Sequence, residues 1–217
     1  MTTQIISLRE ANALMADEHY IGPCKAPDPT CFGWEENGVL VAAAIYANPH
    51  APKIPASYRD LRRLAARRSM QSNLSKFLSQ SLRRLKVMGW DAAITWADQE
   101  AGHHGGIYQA CNWIYLEPNS YNWNSSYLLP DGTVKNHRSV FKELNTTSRS
   151  KVKILRPDWT PFLPKMKLRY VYPLNKKICE ISKELNSKVS SHPKPNGRDI
   201  RRIDYRGKKF ELERAVI

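Results

Sequence analysis

The chain has 217 residues, with 34 Lys or Arg against 20 Asp or Glu and a formal net charge of +14. That length supports one full domain, or one domain with an appendage, and a hydrophobic fraction of 41% excludes a wholly disordered chain. No run of about 18 apolar residues is present to span a bilayer, and the first ten residues have neither the basic leader nor the apolar core of a signal peptide. The expectation is a cytoplasmic protein with no membrane partner.

Residues 5–18 read as a helix: Ser7 can cap it, Glu10 follows three residues on, and Leu8, Ala11 and Leu14 or Met15 form an apolar stripe. Residues 31–34 and 39–46 read as strands joined by an Asn37-Gly38 hairpin turn. Residues 58–65 read as a further strand. A helix follows over 73–88, capped by Ser72 or Asn73, carrying Leu74, Phe77, Leu78, Leu82 and Leu85 on one side and stopped by Gly89. Residues 92–96 form a buried strand, 99–106 a glycine and histidine loop, and 107–113 a short helix. Further strands are predicted at 114–116, 127–129 and 168–171, with a turn at Asp131-Gly132. From Asn186 onward Ser190, Ser191, Pro193, Pro195 and Gly197 read as a linker, and residues 198–206 as a basic arm. This alternation predicts an α/β (α+β) layer fold around a mixed sheet.

The charge is unevenly placed. Residues 1–56 hold 3 basic and 6 acidic side chains, 57–88 hold 9 and 1, 89–110 hold 0 and 3, and 111–217 hold 22 and 10. Two basic blocks around a short acidic one point to a polyanion, because clustered Lys and Arg release counterions from phosphate. The four cysteines Cys24, Cys31, Cys111 and Cys179 form no CxxC pair and read as free thiols.

Two stretches carry chemistry. In the first, a buried strand ends at Asp98, a turn rich in glycine follows, and Tyr108 sits in the first turn of the next helix. Strand ends in α/β folds are where ligands sit; Asp98 there can accept a proton or orient an amine, and Tyr108 can donate one. In the second, a strand with Arg62 and Arg63, a loop with Arg67 and Arg68, and a helix start with Asn73 and Ser75 make an anion-binding device.

Together these stretches resemble phage Mom-type DNA-modification proteins, a divergent branch of the GNAT acyltransferase fold. The resemblance rests on Arg63-Leu64-Ala65, Asn73-x-Ser75-x-Phe77-Leu78, Ala97-Asp98, Gly102-His103-x-Gly105 and Ile107-Tyr108-Gln109-Ala110-x-Asn112-Trp113, with His19-Tyr20 and Arg169-Tyr170-Val171-Tyr172-Pro173-Leu174 outside them. It covers residues 5–175. It implies a GNAT-like mixed sheet flanked by helices, a catalytic domain over 1–175 and a basic C-terminal extension over 176–217. It implies conversion of the exocyclic amine of adenine in duplex DNA to a carbamoylmethyl-amine, which protects phage DNA from host restriction.

The same resemblance marks Asp98, Tyr108, His19 and Tyr20 as catalytic candidates. Arg63, Arg67, Arg68, Asn73 and Ser75 would hold an acetyl-CoA-like donor or a phosphate. The chain departs from the GNAT pattern in two places: Arg67-Arg68-Ser69-Met70-Gln71-Ser72 has no glycine, and Asn112-Trp113 replaces the usual Gly-Phe. A base taken out of the stack needs aromatic walls, and Trp96, Trp113 and Tyr115 are the candidates, with Tyr121, Trp123 and Tyr127 nearby in sequence. Arg62, Arg83, Arg84, Lys135, Arg138, Lys151, Lys153 and Arg169 are the expected contacts to the backbone of double-stranded DNA. His19, Tyr20, Asp98 and His103 are also a candidate iron set, since carboxylate and imidazole suit non-haem iron. Two alternatives stand beside this reading: an acyl-CoA-dependent N-acyltransferase acting on a non-DNA amine, and a non-catalytic DNA-binding protein.

Overall fold

A computed structural model describes residues 3–51, 53–117, 126–162 and 167–193. The expected basic arm at 198–206, and Tyr121 and Trp123, lie outside the described residues. The chain divides into two compact units, Met1–Asn119 with Lys167–Ile203, and Ser120–Met166 with Asp204–Ile217.

The first unit contains β1 (Gln4–Ile6), α1 (Leu8–Glu18), β2 (Thr30–Glu36), β3 (Val39–Ala47), β4 (Tyr58–Ala66), α2 (Leu74–Val87), β5 (Ala92–Ala97), α3 (Gly106–Ala110) and β6 (Ile114–Glu117). The second contains β7 (Ser126–Leu128), β8 (Val134–Lys135), α4 (His137–Leu144), α5 (Arg149–Leu155) and β9 (Thr160–Phe162). The chain then adds β10 (Leu168–Pro173), α6 (Ile178–Glu184) and β11 (Lys188–Val189) to the first. Among the described residues the first unit forms an eight-stranded mixed sheet in the order β1-β2-β3-β4-β5-β10-β6-β11. Its neighbours pair antiparallel, except for β4 and β5, which run parallel with α2 as the crossover between them. Among the described residues no helix is long and apolar enough to cross a membrane.

Local sequence explains the elements. Ser7 caps α1 through a full capping box: its hydroxyl accepts from Glu10 N at 3.2 Å, and its own N–H donates to the Glu10 carboxylate at 2.7 Å. The residues before it are not helical as expected. Gln4–Ile6 extend along the edge and pair with Cys31–Gly33 of β2. Asn37 and Gly38 both take positive φ, 53° and 74°, as a tight hairpin turn demands. The expected helix cap at Asn73 has the right place but makes no side-chain bond, and residues 68–73 ahead of it wind as a 3-10 turn.

β3 separates two cores by its two-residue period. Ala42, Ala44 and Tyr46 join Phe77, Leu78 and Leu82 of α2, together with Tyr170 of β10. Ala43, Ile45 and Ala47 join Ala11, Leu14 and Met15 of α1. The helices thus cover opposite faces of the sheet. In the second unit, Tyr127, Val140, Val152 and Trp159 form a small core of their own. Trp159 lies beneath Lys135 Nζ at 4.8 Å and Arg156 Cζ at 4.3 Å, and both cations pair with Glu143.

The glycine loop is fixed by packing. Gly105 has φ 84°, and a Cβ there would lie 2.3 Å from the Tyr170 ring. The Tyr170 hydroxyl donates to His104 O at 2.9 Å, so the ring and the loop lock together. Gly105→Ala is expected to destabilise the protein by at least roughly 1–3 kcal/mol from backbone strain alone, read as a fall in the thermal midpoint. Gly132→Ala, at φ 81° with nothing within 4 Å of its Cβ, carries the strain without the collision and is expected to cost less.

Candidate active site

β4 and β5 stay paired over only three positions, Tyr58↔Ala92, Arg59↔Ala93 and Asp60↔Ile94. Beyond Asp60 the two strands part. β4 remains with β3, and β5 turns to β10 through Thr95↔Tyr170, Trp96↔Arg169 and Ala97↔Leu168. The register of β3 and β4 slips between Ile45 and Tyr46, leaving Arg62 as an extra residue in β4. Thr95 Oγ1 bridges the gap to Leu61 O at 3.0 Å. The opening lies toward the carboxyl ends of a parallel pair, where α/β sheets hold ligands.

A cleft of about 460 Å³ occupies this region, lined by Tyr20, Lys25, Asp60, Arg62, Trp96 and Lys167 among others. Its size falls in the usual range for small-ligand sites, roughly 300–1,000 Å³. Asp60 is its one lining carboxylate. The side chain is only 7% exposed, and Arg62 Nε lies 3.8 Å from its Oδ2. Burial pushes the Asp60 carboxyl up to about 7, against a smaller lowering by Arg62 and Arg63. The Arg62 guanidinium is held by main-chain oxygens, Nη1 donating to Lys25 O and Nη2 to Asn48 O. Arg59 lies below, 3% exposed, with Nη2 on the Asp28 carboxylate at 2.9 Å and its guanidinium 3.5 Å from the Trp90 ring centre.

Several expected site residues meet here. Tyr20 and Trp96 line the cleft. His19 stacks on Tyr20 at 4.7 Å, and Tyr20 lies 5.1 Å from His103. Burial, then Arg63 and His103, bring the His19 imidazole down to about 3, so it is neutral at physiological pH. Arg63 ties this corner together, donating from Nε to Gly22 O at 3.0 Å and from Nη1 to Arg62 O at 2.7 Å. Asp98, with its side chain 14% exposed, pairs at 2.9 Å with Lys167, itself a lining residue.

Other expected residues go elsewhere. Tyr108 does not line the cleft: it packs against the α2-side core, 5.4 Å from both Trp113 and Tyr170, and its hydroxyl accepts from Thr95 Oγ1 at 3.4 Å. Trp113 and Tyr115 are core residues, 0% and 7% exposed, which removes them as stacking surfaces for an incoming base. Arg62 and Arg169 are turned inward, the latter onto Ser187 Oγ and Glu117 O, and Lys135 is taken by Glu143. Arg83 and Arg84 on α2, and Arg138, Lys151 and Lys153 in the second unit, are exposed.

The iron set is also corrected. Among the described residues no group of three or more His, Cys, Asp or Glu stands close enough to hold a metal ion. His19 Nδ1 already accepts the Ile21 N–H at 3.1 Å, and Asp98 is committed to Lys167. The expected donor loop is a 3-10 turn pinned by fully buried Met70 and by Arg67 N to Val41 O at 2.8 Å. Arg67, Arg68 and Asn73 are exposed beside the α2 N-terminus, while Ser75 is half-buried.

Asp60, Lys25 and Lys167 were not expected from the sequence. The available signal for Asp60 was its position as the single acid of the basic 57–88 block. A carboxyl raised from 3.8 to about 7 gives stability that is fully present below 3.8 and lost as pH rises through about 7. Asp60→Asn removes that dependence. Denaturant midpoints are expected to show the variant gaining on the wild type from pH 5 to pH 8; a constant difference would contradict the burial cost.

No curated protein matches the sequence. Among solved structures, the chain is similar to the IAA acetyltransferase of Bacillus cereus at 10% identity and a TM-score of 0.46, covering 80% of this chain and 99% of that one. It is similar to an acetyltransferase of Bacillus subtilis in complex with CoA at 10% identity and a TM-score of 0.47, covering 80% and 98%. A probable acetyltransferase of Staphylococcus epidermidis stands at 8% identity and a TM-score of 0.47, covering 79% and 98%. Residues 1–194 match the Mom protein family, and the chain belongs to that family.

Proposed function

We propose that this protein is a phage DNA-modification enzyme that converts the exocyclic amine of adenine in duplex DNA to a carbamoylmethyl-amine and so protects the DNA from host restriction. The observation that carries the reading is the cleft where β4 and β5 part. It joins a buried carboxyl, Asp60, an aromatic wall, Trp96, and the lysines Lys25 and Lys167 in a chain of net charge +14. Family membership supports the same reading.

Each feature answers a need of the reaction. Adenine's amine is a weak nucleophile inside a stacked duplex, so the base must leave the stack and meet a flat apolar surface. Trp96, half-buried on the cleft wall, supplies one. The amine nitrogen gains a bond to the methylene carbon of the carbamoylmethyl group as the donor's leaving group departs from that carbon, and it sheds a proton that a carboxylate in the cleft can receive. Asp98 holds the Lys167 ammonium at the cleft, where its charge meets the nucleic-acid backbone. Tyr108, bonded to Thr95, acts from beneath the parting of the strands as a positioning residue. Exposed Arg67, Arg68 and Asn73 beside the uncapped α2 N-terminus fit the phosphates of an acyl-CoA-type donor. Exposed Arg83, Arg84, Arg138, Lys151 and Lys153 remain the proposed contacts to DNA phosphates.

Nucleoside mass spectrometry of DNA from cells expressing the protein tests the reading. A modified adenosine heavier by the carbamoylmethyl group is expected. Asp98→Ala is expected to cut its yield by about a hundredfold, within the range for a lost acid–base or positioning group, with folding retained. Unmodified adenosine throughout would overturn the proposal. Acetyl transfer to a small amine, indifferent to DNA, would favour a general N-acyltransferase instead.

A further inference from the structure

Arg62, beside Asp60, poses a hydrogen-bonding problem that the protein does not solve internally. The Asp60 side chain is only 7% exposed, and its ion-pair partner is Arg62 Nε. Arg62 Nε is buried with no acceptor, in a side chain 5% exposed. The separation of 3.8 Å is too long for a hydrogen bond between them. Buried polar groups are nearly always paired, and leaving one unpaired is costly. Both groups line the same cleft. The Arg62 head cannot swing away to find another partner, because Lys25 O and Asn48 O hold its two terminal nitrogens.

The pair therefore offers one acceptor beside one donor, on a rigid strand, next to an aromatic wall. Its complement is a planar group carrying a donor beside an acceptor. The edge of a nucleobase has that form, and adenine offers a 6-amino donor next to the N1 acceptor. A carboxylate that takes one N–H of the amine also fixes the nitrogen for attack.

Resting on the DNA-modification reading above, we propose that Asp60 and Arg62 are the base-reading pair. The Asp60 carboxylate accepts from the adenine 6-amino group, Arg62 Nε donates to N1, and Trp96 stacks on the ring. The contact made by Asp60 places the reacting nitrogen. The contact made by Arg62 sets how far the base enters.

Functional-group replacement separates the two contacts. The probe is a short duplex in which one adenine faces an abasic position, so that little pairing energy is lost on flipping. In matched duplexes that adenine is replaced by purine, which lacks the 6-amino group, or by 1-deazaadenine, which lacks N1. Fluorescence anisotropy with the full chain is expected to show each replacement weakening wild-type binding by about tenfold, the scale of one hydrogen bond. Asp60→Ala is expected to bind the adenine and purine duplexes equally while still disfavouring 1-deazaadenine. Arg62→Lys, which keeps the charge without the Nε–H, is expected to do the reverse. Circular dichroism melts establish that each variant is folded; if Arg62→Lys is not, the Asp60→Ala pattern decides. An Asp60→Ala protein that keeps the full purine penalty, or a wild type indifferent to both analogues, overturns the proposal. If modified adenosine still forms in cells in that case, the enzymatic reading stands without this pair. If the penalties follow the expected pattern but no modified adenosine forms, the pair stands and the enzymatic reading fails.

Discussion

The first unit depends on a parallel strand pair that comes apart. Parallel ladders satisfy every backbone group only while they stay in register. Here β4 and β5 do so over three residues and then choose different neighbours. The cost is contained because each strand keeps its other partner: β4 holds β3 through Ala66↔Ala42, and β5 holds β10 through Ala97↔Leu168. The Thr95 hydroxyl satisfies Leu61 O where the ladder has stopped. The extra residue in β4 at Arg62 sits at the same point, so the bend, the gap and the cleft are one event in the backbone.

The electrostatics of the cleft follow from that event. Asp60 is the last β4 residue paired with β5, so its peptide stays inside the sheet while its carboxyl faces the opening. Desolvation dominates over the attraction of Arg62 and Arg63, and the acid is held near neutrality. The arginines around it serve mainly as structure. Arg59 clamps Asp28 and Asn48, Arg62 clamps Lys25 and Asn48, and Arg63 clamps Gly22. Three arginines of one strand thus fasten the loops that close the cleft, a use of guanidinium forks that lysine could not copy.

Sequence pattern disclosed elements whose signal is local. The Ser7–Glu10 capping box, the Asn37-Gly38 turn and the stripe of four leucines and one phenylalanine on α2 each carry their own geometry, and each is found in place. The misses are elements made by neighbours. β1 and β11 are three and two residues long and exist because β2 and β6 offer edges to them. α4 and α5 bury one residue each, Val140 and Val152, which is too little for a periodic signal. The catalytic reading was partly legible for the same reason. Asp98, His19, Tyr20 and Trp96 stand in short motifs, and they converge on or beside the cleft. Asp60 has meaning only once β5 parts from β4, which no linear motif records. Trp113 and Tyr115 misled because an aromatic beside a glycine loop looks the same in sequence whether it faces a ligand or a core.

The basic block at 57–88 can now be divided by what each charge touches. Arg59, Arg62 and Arg63 point into the fold and are consumed by carbonyls and by Asp28. Arg67, Arg68, Lys76, Arg83, Arg84 and Lys86 remain exposed on the turn and helix that follow. Only the second group is placed to exchange counterions with a polyanion, so the surface this block offers to the proposed phosphate backbone carries fewer charges than the count along the chain suggests. The first group does work of another kind: it fastens the loops around a cleft in which the Asp60 carboxyl stands beside the unpartnered Arg62 Nε. The proposed grip on a duplex draws on the outer six cations and the proposed base contact on Arg62 of the inner three, at two depths of one strand–helix segment.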